Sequence, residues 1–200
     1  MRRERLVLAL GFLLTVVAAP AAAQHTFTPV FKAPYRAFDK GEIGGSFSSA
    51  GDWSLEGFFG FGYRKFDLEA RGGFIDNNAG TDVVLGISGR GRIFTHTPQF
   101  PLDGALTVGV GGLIGDNSGD GLFIPVGLSV GRRFELEGSD VSLVPYLHPF
   151  LGPAFTEGED DFRGGLGLGV DIRVARNVDI RVAGGIGDVE GIAIGVSFGR

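Results

Sequence analysis

The clearest chemical pattern in the chain is a doubled pentapeptide, VDIRV, at 170–174 and again at 178–182. Apolar and charged residues alternate in both copies, which is typical of a β-strand with two different faces. The intervening Ala175, Arg176 and Asn177 predict a three-residue hairpin loop with Asn177 in the left-handed conformation. The two copies are therefore predicted to pair as neighbouring antiparallel strands.

Folding at that loop brings opposite charges together across the two strands. Asp171 is expected to face Arg181, and Arg173 is expected to face Asp179. Each pair joins a carboxylate to a guanidinium, which stabilises cross-strand pairing. On a water-exposed sheet these would be ordinary surface charges, whereas inside a closed barrel they would form a paired network in the lumen.

The three histidines give little indication of catalysis. His25 lies near the start of a segment without alternation, His96 in a Pro-containing turn, and His148 in PYLHPF. A general base needs a partner within hydrogen-bond reach, and the sequence places no acid or nucleophile beside His148. We interpret His148 as structural or as a polar tip at the membrane interface, and we expect no catalytic residues and no enzymatic activity.

Two acidic loops could be considered as metal sites. In DNSGDG, at 116–121, Asp116, Ser118 and Asp120 match the first half of a calcium loop, but position 127 is Gly where a closing Glu is needed. TEGEDD begins at Thr156 and clusters four acidic residues. We interpret both as solvated turns and expect no metal and no cofactor; the alternative is that they bridge divalent cations to lipopolysaccharide phosphates.

The composition indicates an exported chain without disulfides. Residues 1–23 have a basic start, an apolar run from Leu6 to Ala19 and a small-residue cleavage pattern, which predicts a signal peptide too short to span a bilayer. Its removal takes three Arg and one Glu from 18 basic and 23 acidic residues, leaving 15 and 22, a net charge of −7. This balance argues against nucleic acid as a partner.

The remainder divides into two parts. Residues 24–40 lack alternation and carry Pro29 and Pro34, so we expect an extended N-terminal periplasmic arm. Residues 41–200 contain ten alternating segments bounded by turn residues. The predicted strands are Gly41–Ser49, Trp53–Arg64, Asp67–Asp76, Asp82–Phe94, Ala105–Gly115, Leu122–Arg133, Val141–Phe155, Phe162–Val174, Val178–Gly187 and Gly191–Gly199. An eight-stranded arrangement is the alternative if Gly41–Ser49 and one other segment are irregular.

The composition of the second strand face separates a soluble barrel from a membrane barrel. One face is apolar and aromatic throughout, while the other is rich in Gly and Ser, which a water-facing strand rarely carries. Small residues suit the crowded interior of a narrow closed barrel. The charges on that face balance at six and six: Glu42, Glu56, Asp67, Glu69, Asp171 and Asp179 with Arg71, Arg90, Arg92, Arg163, Arg173 and Arg181. We therefore predict an all-β, closed, antiparallel up-and-down transmembrane barrel with its apolar face toward lipid.

The chain resembles the small outer-membrane β-barrel proteins of Gram-negative-type bacteria, the outer membrane protein beta-barrel domain family. The resemblance covers roughly residues 38–200 and rests on hairpins such as FGYRKFDLEARGGF and on the last strand, GIAIGVSFGR. It implies an outer-membrane location and a final aromatic residue that the barrel-assembly machinery reads. Phe198 is the candidate, although Gly199 and Arg200 follow it. Outer-membrane proteases of similar strand number use a His-Asp pair and lipid A deacylases a His-Ser pair, for which we see no match.

Aromatic residues at the two ends of one strand predict the height of the apolar band. Trp53 and Tyr63 are ten residues apart, which is about 25 Å at ~3.3 Å per residue and a tilt near 40°. This agrees with a girdle of aromatic side chains at each membrane surface.

We therefore expect a monomeric, non-enzymatic outer-membrane barrel with a structural or narrow-pore role. Its expected partners are outer-membrane lipid and lipopolysaccharide, with the assembly machinery during insertion. The alternatives are a binding module, either for a hydrophobic ligand or as a surface adhesin, and a soluble periplasmic or secreted lipocalin-like barrel.

Overall fold

The computed structural model describes residues 26–78, 80–115, 119–156 and 159–199. The predicted signal peptide, residues 1–23, lies outside them. Within the described residues, no helix is long and apolar enough to cross a membrane. The strands are β1 Gly41–Ser48, β2 Trp53–Tyr63, β3 Phe66–Asn77, β4 Gly80–Phe94, β5 Asp103–Ile114, β6 Gly121–Phe123, β7 Val126–Gly131, β8 Phe134–Glu135, β9 Ser142–Thr156, β10 Glu159–Ala175, β11 Val178–Gly187 and β12 Gly191–Gly199.

These strands close into one antiparallel barrel. Neighbours in sequence pair with each other from β1 to β5 and from β9 to β12, and β12 returns to pair with β1, where Glu42 is opposite Gly199. β6 and β7 both lie between β5 and β9, so together they form one wall strand. In the described residues the wall therefore has ten strands, and the predicted ten-stranded barrel is confirmed. β1 is regular, so the eight-stranded alternative does not apply.

The wall strand predicted at Leu122–Arg133 is interrupted at Ile124 and Pro125. Proline has no backbone N–H to donate to a neighbouring strand. The carbonyl of Pro125 still accepts from the Gly109 amide at 2.9 Å, and the Ile124 amide donates to Pro153 at 3.0 Å. The interruption therefore separates β6 from β7 without opening the wall.

The two strand faces differ as the sequence predicts. Along β2 exposed and buried residues alternate, with Leu55 54% and Phe59 57% exposed beside Ser54 at 0% and Glu56 at 2%. The same contrast holds around the barrel, since the exposed large side chains are mainly outward-facing Ile, Leu, Val and Phe. The apolar face is the outer surface, and the face with Gly, Ser and charged residues lines the lumen.

The connections define two mouths. The terminal mouth has the start of β1, the end of β12, and the connections 64–65, 95–102, 132–141 and 176–177. The distal mouth has the opposite strand ends and the connections 49–52 and 188–190, and the sequence between consecutive strands on this side is at most six residues long. Between the mouths, a buried apolar cluster inside the barrel includes Phe123, Tyr146 and Phe150 from the wall and Phe27 and Phe31 from the segment before β1.

The β10–β11 hairpin has the predicted partners but a different turn. β10 continues to Ala175, a register shift occurs between Arg173 and Ala175, and Arg176 and Asn177 form the turn. The prediction of a left-handed Asn177 is wrong, because the described non-glycine residues with positive φ are Phe27 and Arg64. The register shift after Arg173 goes with a two-residue turn in place of the predicted three-residue loop.

The orientation of β5 gives a test of the outer face. Val110 is 41% exposed near the middle of that strand. We expect Val110→Arg to lower the free energy of unfolding in lipid bilayers by roughly 2–4 kcal/mol, because it places a charge against the hydrocarbon. Urea titrations in vesicles measure the effect, with Val110→Leu as the matched control. Equal stability of the Arg and Leu variants would contradict the assignment of this face.

Candidate functional site

Residues 26–38, here called the luminal segment, run through the interior of the barrel. Thr26, Thr28 and Phe31 are each no more than 2% exposed, and Phe38 is 7% exposed. The sequence predicts a periplasmic arm over residues 24–40 and does not indicate that this part of the chain enters the lumen. The structure instead places them against the inward face of nearly every wall strand.

The luminal segment passes from one mouth to the other. At the distal mouth Pro29 lies beside Gly191, and the Phe27 ring packs on that of Phe123 with centroids 6.2 Å apart. In the middle, the Phe31 ring lies 5.4 Å from the His148 ring. At the terminal mouth the Arg173 guanidinium lies over the Phe38 ring at 4.8 Å. The segment therefore fills the lumen along its length.

Side chains from the wall bind the backbone of the luminal segment. The Ser129 hydroxyl donates to the Lys32 carbonyl at 2.6 Å, and the Tyr146 hydroxyl donates to the Phe31 carbonyl at 3.0 Å. Two guanidiniums donate to other carbonyls of the segment, Arg90 to Ala33 and Arg173 to Ala37. These donors satisfy carbonyls that an extended buried chain would otherwise leave unpaired.

Inward-facing glycines make the room for this segment. A Cβ atom at Gly167 would lie 2.3 Å from the Phe31 ring, and one at Gly62 would lie 2.1 Å from the Arg36 guanidinium. A Cβ at Gly199 would collide with Phe38, and one at Gly86 would lie 2.9 Å from Thr26. The glycine-rich inner face is therefore complementary in shape to the luminal segment.

The segment also completes a network of ion pairs. Lys32 pairs with Glu69 and lies 3.8 Å from Glu42, and Arg36 donates to Asp67 at 2.5 Å. The sequence predicts that Arg92 and Arg163 are among the balancing cations. In the structure, however, Arg92 lies over the Tyr35 ring and Arg163 over the Phe27 ring. Lys32 and Arg36 occupy the places in the network that these two were expected to fill.

The doubled VDIRV contributes four members of the same network. Asp171 is directly opposite Arg181, and Arg173 is opposite Asp179. The Arg173–Asp179 contact is 2.6 Å, whereas Arg181 lies 3.8 Å from Asp171 and only 2.5 Å from Glu42. The structure thus brings all four residues together in the lumen and gives Arg181 a closer partner from β1.

A polar cluster at the terminal mouth was not indicated by the sequence. The His96 ring Nδ1 lies 2.7 Å from Asp103 Oδ2, and the Tyr35 hydroxyl donates to the same carboxylate. The Arg133 amide donates to the Tyr35 hydroxyl at 3.2 Å. His96 and Asp103 are only seven residues apart, on either side of most of the 95–102 connection. This short spacing is the sequence feature that could have indicated their contact. The cluster fastens the luminal segment to β5.

His148 lies in the lumen and not at a membrane surface. It is 8% exposed, its Nε2 is 3.0 Å from the Thr107 hydroxyl, and it packs against Phe31. Beside it is a cavity of about 30 Å³ lined partly by Lys32 and Glu69.

The other predicted site residues lie on the outer surface. Trp53 and Tyr63 are the first and last residues of β2 and are 38% and 66% exposed. Phe198 is 49% exposed in β12, opposite Ile43 of β1. Asp116, Ser118 and Glu157 of the two acidic loops, like His25, lie outside the described residues. Among described residues no group of three or more His, Asp or Glu could hold a metal ion.

Comparison with known proteins supports the fold. No protein-family model and no curated protein matches the chain. The β domain of the Bordetella autotransporter BrkA aligns with a TM-score of 0.50 at 14% identity, covering 80% of this chain and 99% of that one. This likeness, together with the closed ten-stranded wall, defines an outer-membrane-type β-barrel fold.

Two further solved structures show weaker similarity. A bacterial polysaccharide outer-membrane secretin aligns with a TM-score of 0.45 at 13% identity. The alignment covers 73% of this chain, which spans only 56% of the length of the secretin. A structure from the de novo design of transmembrane β-barrels aligns with a TM-score of 0.39 at 19% identity, covering 79% of this chain and 91% of that one.

Shape complementarity in the lumen predicts a compensating pair of substitutions. Gly167→Ala should destabilise the barrel by about 1–3 kcal/mol through collision with Phe31, and Phe31→Ala by about 3–5 kcal/mol through the cavity it leaves. In the double variant the alanine at 167 no longer meets the ring, so the combined loss should be smaller than the sum. Urea unfolding measures all three. The matched control is Gly57→Ala on the outer face, where the nearest atom to the new Cβ is 3.9 Å away. Strict additivity of the losses caused by Gly167→Ala and Phe31→Ala would contradict the contact between these two residues.

The geometry of Arg181 predicts unequal effects within the doubled pentapeptide. Arg181→Gln should cost about 3–5 kcal/mol, because it leaves Asp171 as an uncompensated buried charge and Glu42 with only the more distant Lys32, 3.8 Å away. Asp171→Asn should cost less, since Arg181 keeps its closer partner Glu42, and the double variant should recover part of the loss. Urea unfolding at low and high salt measures the coupling.

The exposed pair Arg176 and Asp140, 3.5 Å apart at the turn, is the control for this cycle. Its substitutions should have little effect and should be screened by salt. A coupling for Arg181 that disappears at high salt, as expected for an exposed pair, would refute its burial.

Proposed function

We propose that the protein is an integral β-barrel of the bacterial outer membrane, without enzymatic activity, whose lumen is closed by its own N-terminal segment. The observation that carries the proposal is the combination of a continuous apolar outer surface with a lumen filled by residues 26–38. A soluble lipocalin-like barrel would bury its apolar face inward, which is the opposite of the observed burial. The role is structural, since the filled lumen leaves no open passage for solutes.

The outer surface is suited to lipid. Its exposed residues include Ile43, Phe47, Phe59 and Ile194, each more than half exposed, and a surface of this kind would aggregate in water. Membrane lipid and lipopolysaccharide are the partners that this surface fits. Export by residues 1–23 and insertion by the barrel-assembly machinery, with Phe198 as the aromatic signal, complete the proposed route of a monomeric protein to the outer membrane.

The surroundings of the histidines support a non-enzymatic role. His148 is enclosed by Phe31 and Thr107 inside the filled lumen, so a substrate could reach it only if the segment moved. His96 is half exposed and has an acidic partner, but the third member of its cluster, the Tyr35 hydroxyl, is held by Asp103 and the Arg133 amide. This arrangement fastens the segment and presents no activated nucleophile. We propose no cofactor.

The binding-module alternatives receive less support. A cavity of about 30 Å³ beside His148 has room for a few water molecules but not for an acyl chain. With both ends of the barrel chain on the periplasmic side, the outward connections are the distal ones, which have at most six residues, whereas recognition of a large partner is normally built on longer loops. A filled lumen with short loops favours a structural barrel over a lipid carrier or an adhesin.

Electrophoresis tests the closed membrane barrel. A folded barrel resists SDS until it is boiled, because its backbone hydrogen bonds close without an edge. We expect the unboiled protein to migrate faster than the boiled protein after refolding into outer-membrane lipid vesicles. Identical mobility before and after boiling would contradict a closed membrane barrel.

Conductance tests whether the lumen is closed. The heat-modifiable protein should insert into planar bilayers without a steady ionic current, since residues 26–38 block the passage. A stable open current from the wild-type protein would contradict the structural role and favour the narrow pore expected from the sequence.

A further inference from the structure

The ion pairs of the lumen balance only when the luminal segment is present. In the described part of the chain, the luminal pairs join six carboxylates to six cations. The wall supplies Glu42, Glu56, Asp67, Glu69, Asp171 and Asp179 with only four guanidiniums, those of Arg71, Arg90, Arg173 and Arg181. Lys32 and Arg36 are the fifth and sixth cations. Without the segment, the network therefore has two uncompensated negative charges.

The remaining inward charges of the wall do not change this difference. Asp82, Asp103 and Asp161 add three carboxylates, and Arg92, Arg133 and Arg163 add three guanidiniums. The inner wall alone then has nine carboxylates and seven guanidiniums. A narrow lumen with a surplus of carboxylates concentrates cations and excludes anions, because low-dielectric walls focus the field.

The luminal segment is not part of the sheet that forms the wall. All strand pairings of the described residues lie within 41–199, and the barrel closes between β12 and β1 without the segment. Its attachments to the wall are side-chain hydrogen bonds, ring contacts and the ion pairs of Lys32 and Arg36. It can therefore leave the lumen without breaking a backbone hydrogen bond of the wall.

Removal of the segment would leave a passage from mouth to mouth. The contacts of residues 26–38 extend from Gly191 at the distal mouth to Gly199 at the terminal mouth. The wall beside them includes Gly86, Gly167 and Ser129, whose small side chains leave the lumen wide. A space that holds an extended polypeptide with its side chains also admits water and hydrated ions.

We propose that the barrel is a latent cation-selective channel, opened when residues 26–38 leave the lumen, with Lys32 and Arg36 acting as the charges that keep the segment in place. This rests on the proposed function, because it needs a barrel inserted in a membrane and closed at rest. The conducted species are small hydrated cations, for which K⁺ is the probe. Selectivity comes from the two carboxylate charges that the segment neutralises at rest.

The test combines expulsion of the segment with a reversible lock. Lys32→Glu with Arg36→Glu places carboxylates beside Glu69, Glu42 and Asp67, so repulsion expels the segment. The lock is Thr26→Cys with Gly86→Cys, since a Cβ atom at 86 lies 2.9 Å from the Thr26 side chain. The protein has no native cysteine, so a disulfide can form only between these positions. The full chain carrying all four substitutions is refolded, checked for heat-modifiable migration and studied in planar bilayers under a KCl gradient.

We expect no current from the oxidised protein. After reduction we expect channel openings whose reversal potential corresponds to at least a several-fold preference for K⁺ over Cl⁻. The lock alone, with Lys32 and Arg36 native, should stay closed before and after reduction. A folded, reduced variant that stays closed at all voltages, or that prefers Cl⁻, would overturn the proposal while leaving the closed membrane barrel intact.

A milder variant is used if the variant with Lys32→Glu and Arg36→Glu does not fold, that is, if it shows no heat-modifiable migration. It carries Lys32→Gln with Arg36→Gln and the same two cysteines, and the same currents are expected. If this variant also fails to fold, the proposal is overturned, because the wall would then depend on the charges of the segment. Failure of the wild-type protein to insert would instead overturn the proposed function itself.

Discussion

Filling of the lumen by residues 26–38 is the constraint on which the rest of the structure depends. A ten-stranded wall encloses more space than glycine and serine side chains can occupy, and protein interiors do not tolerate large voids. The aromatic rings of Phe27, Phe31 and Phe38 fill that space, and glycines at 86, 167 and 199 lie where those rings and Thr26 approach. Because glycine weakens a strand, the glycines at these positions are explained by the segment, while others on the inner face, such as Gly127 and Gly169, make room for the wall side chains of His148 and Tyr146.

The same segment satisfies the electrostatics of the interior. Charges enclosed within a lipid-facing wall are stable only when they are paired and hydrogen-bonded. Lys32 and Arg36 complete pairs that the wall begins with Glu69, Glu42 and Asp67. Shape and charge therefore select the same arrangement of the chain. This agreement gives the luminal segment one register, since a shift by one residue would misplace both its rings and its cations.

Most of the wall could be predicted from sequence, because strand alternation, turn residues and face composition are local signals. They gave the ten strands, the outward apolar face and the opposition of Asp171 to Arg181. The luminal segment could not be predicted in this way. It has no periodicity, and its contacts reach partners far along the chain, such as Ser129 to Lys32 and Arg173 to Ala37. The available signals were compositional: an inner face with too little side-chain volume, and two cations at 32 and 36 in a segment without acidic residues before Asp39.

The most direct measurement of the central claim is the proximity of Phe31 to the inner wall in solution. NMR of the refolded barrel in detergent micelles, with labelled Phe, His and Gly, reports cross-relaxation between protons within a few ångströms. The structure predicts cross-peaks from the Phe31 ring to the His148 ring, 5.4 Å away between centroids, and to Gly167. Absence of both, with resonances of residues 26–38 at random-coil positions, would contradict a lumen closed by the protein's own N-terminal segment.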